Sequence, residues 1–390
     1  MEPVLDFLKT KPHPDFNDFT AVLKGTKKPA KVHYAELVVD EEIKKIILEE
    51  FLEDEYFAPP VLNWGSSGTA VLSFNEKKTQ YKKYYEKTIK FYYQMGYSMI
   101  TDMMFMNNFE ALNPFKIRST DTSILSKGER YWANEKTGVI KSWEDFKKFP
   151  WEAPGKYIDE YLYNLDMISK LLPDGMKIGI SGTFFEEPLE WIFGFENLFY
   201  LMHDNPELVA EVYNKVGEII YNFYDAAIGH EIVGCIFHAD DLGYKNATLI
   251  SVKDLEKLVF PWLKKYSRLA HSCSKPFFLH CCGKKTEIMD ILIGDVQIDA
   301  IHSFEDASYP VKEFMSEWGS RVGIMGGIDI DKLVRLNETD LKIYIRDTLD
   351  FCVPKGRYVC GTGNSVANYI PVKNYITLIN ECACWNRQNA

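Results

Sequence analysis

The first 234 residues contain no cysteine, and all eight cysteines fall between Cys235 and Cys384. So lopsided a distribution in 390 residues does not build a disulfide scaffold, and free thiols, some of them on metal, fit a reducing compartment. Basic residues are also short: 45 Lys and Arg stand against 56 Asp and Glu, a net charge of −11. A nucleic-acid partner would need a basic stripe, so nucleic acid is not expected. Residues 1–30 hold Asp, Lys, Pro and His with no apolar core, so no signal peptide is expected. No apolar run approaches the ~18 residues that span a bilayer, and no membrane association is expected. A cytoplasmic protein is the expectation. Low-complexity linkers and short repeats are absent as well, which leaves no natural division into separate domains.

What remains is a well-supplied core: 46% of residues are hydrophobic and 26% charged. Short apolar runs alternate with longer helical patterns. The strand-like runs are "PAKVHYAELVV" (29–39), "GYSMITDMMF" (96–105), "KIGISGTFFEE" (177–187), "EIVGCIFHADDLG" (231–243), "KPFFLHCCG" (275–283), "AIHSFEDA" (300–307), "RVGIMGGID" (321–329) and "RYVCGTGN" (357–364). Buried strands between amphipathic helices predict a parallel α/β sheet. Eight of them predict a closed (β/α)8 TIM barrel spanning residues 1–390, with about 1–28 as an N-terminal helical extension.

These runs end in carboxylates or soft ligands: Glu36, Asp102, Glu186 with Glu187, Asp240 with Asp241, His280 with Cys282, Glu305 with Asp306, Asp329, and Cys360. In a barrel such ends converge on the face that carries the active site. Helix capping is the competing role for Glu305, Asp306 and Asp329. It does not suit His280, Cys282 or Cys360. His280 and Cys282 are two apart, so on a strand both side chains face one side, while Cys281 faces the other as a small hydrophobe. Cys360, at the end of the eighth run, is the expected third ligand. One imidazole and two thiolates form a zinc site with a vacant fourth position, as in catalytic rather than structural zinc. His238 faces either the core or the mouth, and His302, on the sixth run, falls either within the polar rim or outside it. Cys382 and Cys384 are read as incidental.

"HCCG" together with Cys360 resembles the H-x-C-x(n)-C zinc motif of corrinoid-dependent methyltransferases in the uroporphyrinogen decarboxylase superfamily. The segments "KIGISGTFFEEPLEWIFGFENLFYLMHDNPELVAEVYNKV", "HADDLGYKNATLISVKDLEKLVFPWLKKY" and "GGID" are similar to that superfamily as well. The resemblance implies a (β/α)8 barrel and methyl transfer to or from a corrinoid. Two departures bear on the reaction. The stretch 27–42, where the decarboxylases carry substrate-gripping arginines, has none, and "CGTGN" stands where they have G-H-G. An octa-anionic porphyrinogen would be poorly held without guanidinium groups, which disfavours decarboxylation.

The resemblance implies two uses of zinc: methylation of a thiol such as coenzyme M, or removal of a methyl group from a donor. In the second, a carboxylic acid beside the metal protonates the leaving heteroatom, and Asp240, Glu186 and Glu187 are the candidates. An ionised carboxylate there could instead be the fourth zinc ligand. Phe184, Phe185, Tyr244 and Tyr369, with Asn364, are candidate substrate contacts, the aromatic rings forming a wall for a methoxylated aromatic donor. None of the eight histidines sits in the D-x-H-x-x-G signature of a cobalamin-carrying domain. The corrinoid is therefore expected on a partner carrier protein, and a homodimer is left open.

Overall fold

The computed structural model describes residues 6–9, 11–60, 74–103, 109–115, 117–120, 123, 125, 129–134 and 136–389. Positions 1–5 and 10 of the expected extension and 104–105 of the second expected strand lie outside this set.

Seven parallel strands form one curled sheet in the order β1-β4-β5-β6-β7-β8-β9. They are β1 Met99–Asp102, β4 Lys177–Ile180, β5 Val233–Ala239, β6 Phe277–His280, β7 Ala300–His302, β8 Gly323–Met325 and β9 Tyr358–Val359. Each expected run from the second onward contains one of these strands. The first run, 29–39, contains no regular strand but fills the eighth place. It pairs with the segment that follows the last strand through parallel bridges Tyr34–Cys360 and Val39–Val366. On its other side, the Thr101 hydroxyl donates to the Glu36 carbonyl at 2.9 Å. An antiparallel hairpin, β2 Ile117–Thr120 with β3 Glu129–Trp132, follows β1 and has no counterpart among the expected runs.

Alternation along the strands sorts the side chains. Ala35, Leu37, Met99, Cys235, Phe237, Ala239, Phe278, Ala300, Met325 and Val359 form the barrel interior. Gly179 on β4 supplies no side chain there, and a Cβ would lie 3.1 Å from both the Met99 and Cys235 sulfurs. The opposite set, including Ile178, Ile236, Leu279, Ile301, Ile324 and Tyr358, packs with the surrounding helices in the larger core.

The N-terminal segment is an integral part of the barrel. The helix Phe16–Leu23 is capped by Asp15, whose side chain accepts from Asp18 N–H, and it inserts Phe16, Phe19 and Leu23 into the interior cluster. Burial of a phenylalanine side chain contributes roughly 1.5–3 kcal/mol, so this plug is a substantial part of the core. Asp18 ties it further, accepting from Lys27 and contacting His33 Nε2 at 2.8 Å. No described helix is long and apolar enough to cross a membrane.

Candidate metal centre

β5 and β6 are register partners, with Ala239 opposite His280. The inward series Cys235, Phe237 and Ala239 continues past the strand end to Asp241, and the inward series on β6, Phe278 and His280, continues to Cys282. One oxygen of Asp241, one nitrogen of His280 and the sulfur of Cys282 all lie within 4.8 Å of one another. His280 Nε2 is 3.2 Å from Cys282 Sγ and 3.4 Å from Asp241 Oδ1. Cys282 N–H donates to Asp241 Oδ1 at 2.9 Å.

The surrounding loops are held tightly. Lys285 is fully buried and directs its ammonium at three carbonyls, of Cys281 at 2.9 Å, Gly283 at 3.3 Å and Ser303 at 2.8 Å. All three ammonium protons are thereby used. Burial pushes this lysine below its ordinary range. Its contacts tie the turn after β6 to the turn after β7. Ser303 adopts φ 87°, a left-handed conformation unusual for a side chain with a Cβ. Its hydroxyl lies 3.2 Å from Cys282 Sγ, and Asn364 Nδ2 donates to the same sulfur at 3.2 Å. The structure therefore brings Asn364 to the cluster.

The cluster is electrostatically divided. Burial alone would raise the Asp241 carboxyl, but the His280 imidazole and the Cys282 N–H hold it down at about 2. Burial and the Asp241 charge push the Cys282 thiol well up. Burial, Asp241 and then Glu190 push Glu186 well above the ordinary carboxylate range. Burial, Asp241 and Glu110 raise Glu190 to about 7. Glu190 lies on the π-helical turn Glu187–Phe193, away from the strand ends where the sequence directed attention. Its i,i+4 spacing from Glu186 was the available signal.

Other expected site residues are elsewhere. Cys360 is not a member of the donor cluster. Its backbone pairs with the first segment, and its sulfur faces outward, 3.6 Å from Cys382 Sγ, with both thiols buried. Val359, one residue earlier, takes the inward position instead. Asp241 is the third donor, where Cys360 was expected.

Asp240 is a structural carboxylate in the barrel wall. Its Oδ1 accepts from the Phe184 and Phe185 N–H groups at 2.8 and 2.7 Å, and its Oδ2 lies 2.8 Å from His238 Nε2. Tyr224 completes the chain, its hydroxyl 2.8 Å from His238 Nδ1. With its acceptors used and no exposure, Asp240 is not placed to exchange protons with a substrate.

Glu187 is also buried, bonded to the Thr183 hydroxyl, with Oε2 unpartnered among the described residues. Burial pushes its carboxyl well up. Phe184 and Phe185 are fully buried and do not line the mouth. Phe184 packs on Tyr213, Trp262 and Tyr266, and Phe185 stacks on Tyr213. Tyr244 and Tyr369 are exposed. The Tyr244 carbonyl accepts from Lys284 N–H at 2.7 Å, which sets it beside the Cys282 turn. Cys281 is a buried hydrophobe facing away from the cluster, as the alternation predicts, and burial raises its thiol to about 11. Asp329 caps the helix Ile330–Arg335 through Lys332 N–H.

His302 is a partner that spacing alone did not reveal. It sits opposite His280 in the β6–β7 register, and the two Nδ1 atoms are 2.7 Å apart. Burial holds it well below the ordinary imidazole range.

An imidazole nitrogen, a thiol sulfur and a carboxylate oxygen suit a borderline-soft divalent ion such as zinc, and three protein donors match a catalytic rather than a closed structural site.

The fold matches that of a methyltransferase from Methanosarcina mazei with a TM-score of 0.65 at 13% identity, over 94% of this chain and 98% of that one. A Listeria monocytogenes protein described as a vitamin-B12 independent methionine synthase matches with a TM-score of 0.48 at 12% identity, over 92% and 97% of the two chains. No curated protein matches the sequence. The family model for uroporphyrinogen decarboxylase (URO-D) matches residues 190–385, a stretch that contains Asp241, His280 and Cys282. That match covers half of the chain, and the protein therefore belongs to the uroporphyrinogen decarboxylase family.

Proposed function

We propose that the protein is a zinc-dependent methyltransferase, moving a methyl group between a small methylated substrate and the cobalt of a corrinoid on a partner protein. The observation that carries this reading is the meeting of Asp241, His280 and Cys282 at the barrel mouth. The shared fold with a methyltransferase agrees with it.

Asp241, His280 and Cys282 would hold the metal. Bound there, zinc supplies Lewis-acid chemistry to a heteroatom or thiol of the substrate. Glu186, pushed well above the ordinary carboxylate range by burial and Asp241, and Glu190, raised to about 7 by burial and Asp241, are the candidate acids. As the bond from the methyl carbon to its heteroatom breaks, the electron pair stays on the heteroatom and a Glu190 or Glu186 proton neutralises it. The methyl carbon forms its new bond to the acceptor. Asn364 and Ser303 fix the Cys282 sulfur from two sides.

The missing arginines still stand against porphyrinogen decarboxylation. With Phe184 and Phe185 in the core, Tyr244 and Tyr369 remain as the exposed rings of the wall expected for a methoxylated aromatic donor.

The test combines metal analysis with a spectrophotometric assay of cob(I)alamin methylation by a panel of methoxylated aromatics, methylamines and methyl thioethers. About one zinc per chain, donor-dependent methylation, and loss of both in Cys282→Ala are expected. Metal-free protein that is inert with every donor would contradict the proposal.

A further inference from the structure

His280 presents two nitrogens to different surroundings. Nε2 faces Cys282 and Asp241, and Nδ1 faces His302 Nδ1 at 2.7 Å. A contact this short between two imidazole nitrogens holds one proton, donated by one ring to the other. Which ring holds it decides whether His280 can bind a cation. With the proton on His280 Nδ1, Nε2 presents a lone pair to the cluster. With the proton on His302 Nδ1, His280 Nε2 carries its own hydrogen and is closed to a metal.

The far side of His302 decides between these. His302 Nε2 is buried and has no well-formed hydrogen bond, and the backbone acceptor beside it is the Thr362 carbonyl. A carbonyl oxygen repels a nitrogen lone pair and favours a hydrogen there, leaving His302 Nδ1 as the acceptor. The packing makes this ring hard to turn. Phe237 meets it edge-on with centroids 5.6 Å apart. Gly326, at φ +92°, leaves room for it: a Cβ there would lie 3.0 Å from His302 Nε2 and 2.4 Å from the Thr362 oxygen. Thr362 is itself fixed, donating its N–H to Glu36 at 2.9 Å.

We infer that His302 is a positioning residue that takes the Nδ1 proton contact of His280 and so sets the tautomer in which His280 Nε2 can ligate a metal. The role deepens the proposed function and rests on it for its purpose, though not for its geometry. Buried partners of this kind typically change metal affinity 10–100-fold.

The test compares zinc affinity, by competition with a chromophoric chelator, in the full-length protein and in His302→Leu and His302→Asn, with melting temperatures recorded for all three. Asparagine places a carbonyl oxygen close to where Nδ1 stood, whereas leucine removes the acceptor. A ten- to hundredfold loss is expected for leucine, with recovery to within about threefold of wild type for asparagine. Affinity unchanged in the leucine variant, or asparagine as weak as leucine, would overturn the inference. Histidine ¹⁵N spectra of the metal-free protein provide a second readout, and His302 is expected as the Nε2–H tautomer. A hydrogen on His302 Nδ1 would overturn the inference even if zinc binds. Wild-type protein that binds no zinc would instead remove the functional reading, and the nitrogen spectrum alone would then decide the role of His302.

Discussion

The barrel carries a histidine–aspartate pair at its bottom, another in its wall and a third at its mouth, and they differ in how far their partners are used up. At the bottom, His33 and Asp18 meet at 2.8 Å and Lys27 takes the other Asp18 oxygen. In the wall, His238 and Asp240 also meet at 2.8 Å, and two backbone N–H groups and Tyr224 complete the set. At the mouth, His280 and Asp241 stand 3.4 Å apart with a thiol between them. The first two pairs are closed hydrogen-bond systems that fasten the plug and the loop after β4. The third has donor atoms turned toward a common point, a strained Ser303 behind it and a fully buried lysine holding its turns. Residue type alone did not distinguish these pairs. Saturation of hydrogen bonding did.

Substitutions can break this contrast. The largest effects are expected in the wall and at the bottom. Asp240→Ala leaves two buried N–H groups and His238 without their acceptor and should destabilise the fold by about 3–5 kcal/mol in urea unfolding. Asp241→Ala orphans only the Cys282 N–H and should destabilise the fold by about 1–2 kcal/mol while weakening metal binding at least about tenfold. Equal destabilisation by the two would erase the distinction between wall and mouth. Phe19→Ala should lower stability by about 3–5 kcal/mol, because the ring is fully buried in the barrel interior. A change under about 1 kcal/mol would mean the N-terminal helix is a dispensable extension after all.

The two cysteines of the expected zinc motif offer a sharper contrast. Cys282→Ser should weaken zinc binding at least about tenfold, and Cys360→Ser should leave it unchanged, since its sulfur meets Cys382 outside the cluster. Chelator competition on both variants measures this.

A pH-dependent effect concerns Glu36. The Thr362 hydroxyl contacts this carboxyl and also the Asn364 carbonyl at 3.1 Å. One hydroxyl proton does not serve both oxygens, and a protonated Glu36 supplies the second. Burial, against the Thr362 hydrogen bonds, raises its pKa from 4.5 to about 8. The folded chain then binds more protons than the unfolded chain between those values. This group's contribution to stability is therefore full below pH 4.5 and is lost as pH rises through about 8. Glu36→Gln should remove that slope, as seen in unfolding curves at pH 5, 7 and 9. An unchanged slope would place the proton elsewhere.

Much of the architecture was legible in the sequence because buried parallel strands read as short apolar runs between helical patterns. Seven of the eight runs contain strands of the sheet. The first run pairs only through isolated bridges, and the hairpin at Ile117–Trp132 interrupts the alternation without an apolar run to announce it. Within the site, His280 and Cys282 were readable because i and i+2 on a strand share a face. The third donor was not, because "YVC" offers valine and cysteine equally to the interior, and only the packing of Val359 in the interior cluster shows that it, not Cys360, points in. The same parity distinguishes Asp241 from Asp240, and the series 235, 237, 239, 241 could have selected it. Phe184 and Phe185 look like pocket aromatics at a strand end, but the Asp240 contacts turn that loop into the helical layer. His302 needed the β6–β7 register, which no local pattern carries.

X-ray absorption of the zinc-loaded protein tests the reassigned donor set most directly. One sulfur neighbour, from Cys282, with the remaining neighbours nitrogen or oxygen, is the result expected from the Asp241–His280–Cys282 cluster. Two sulfur neighbours would bring Cys360 back to the metal and contradict the barrel register described above.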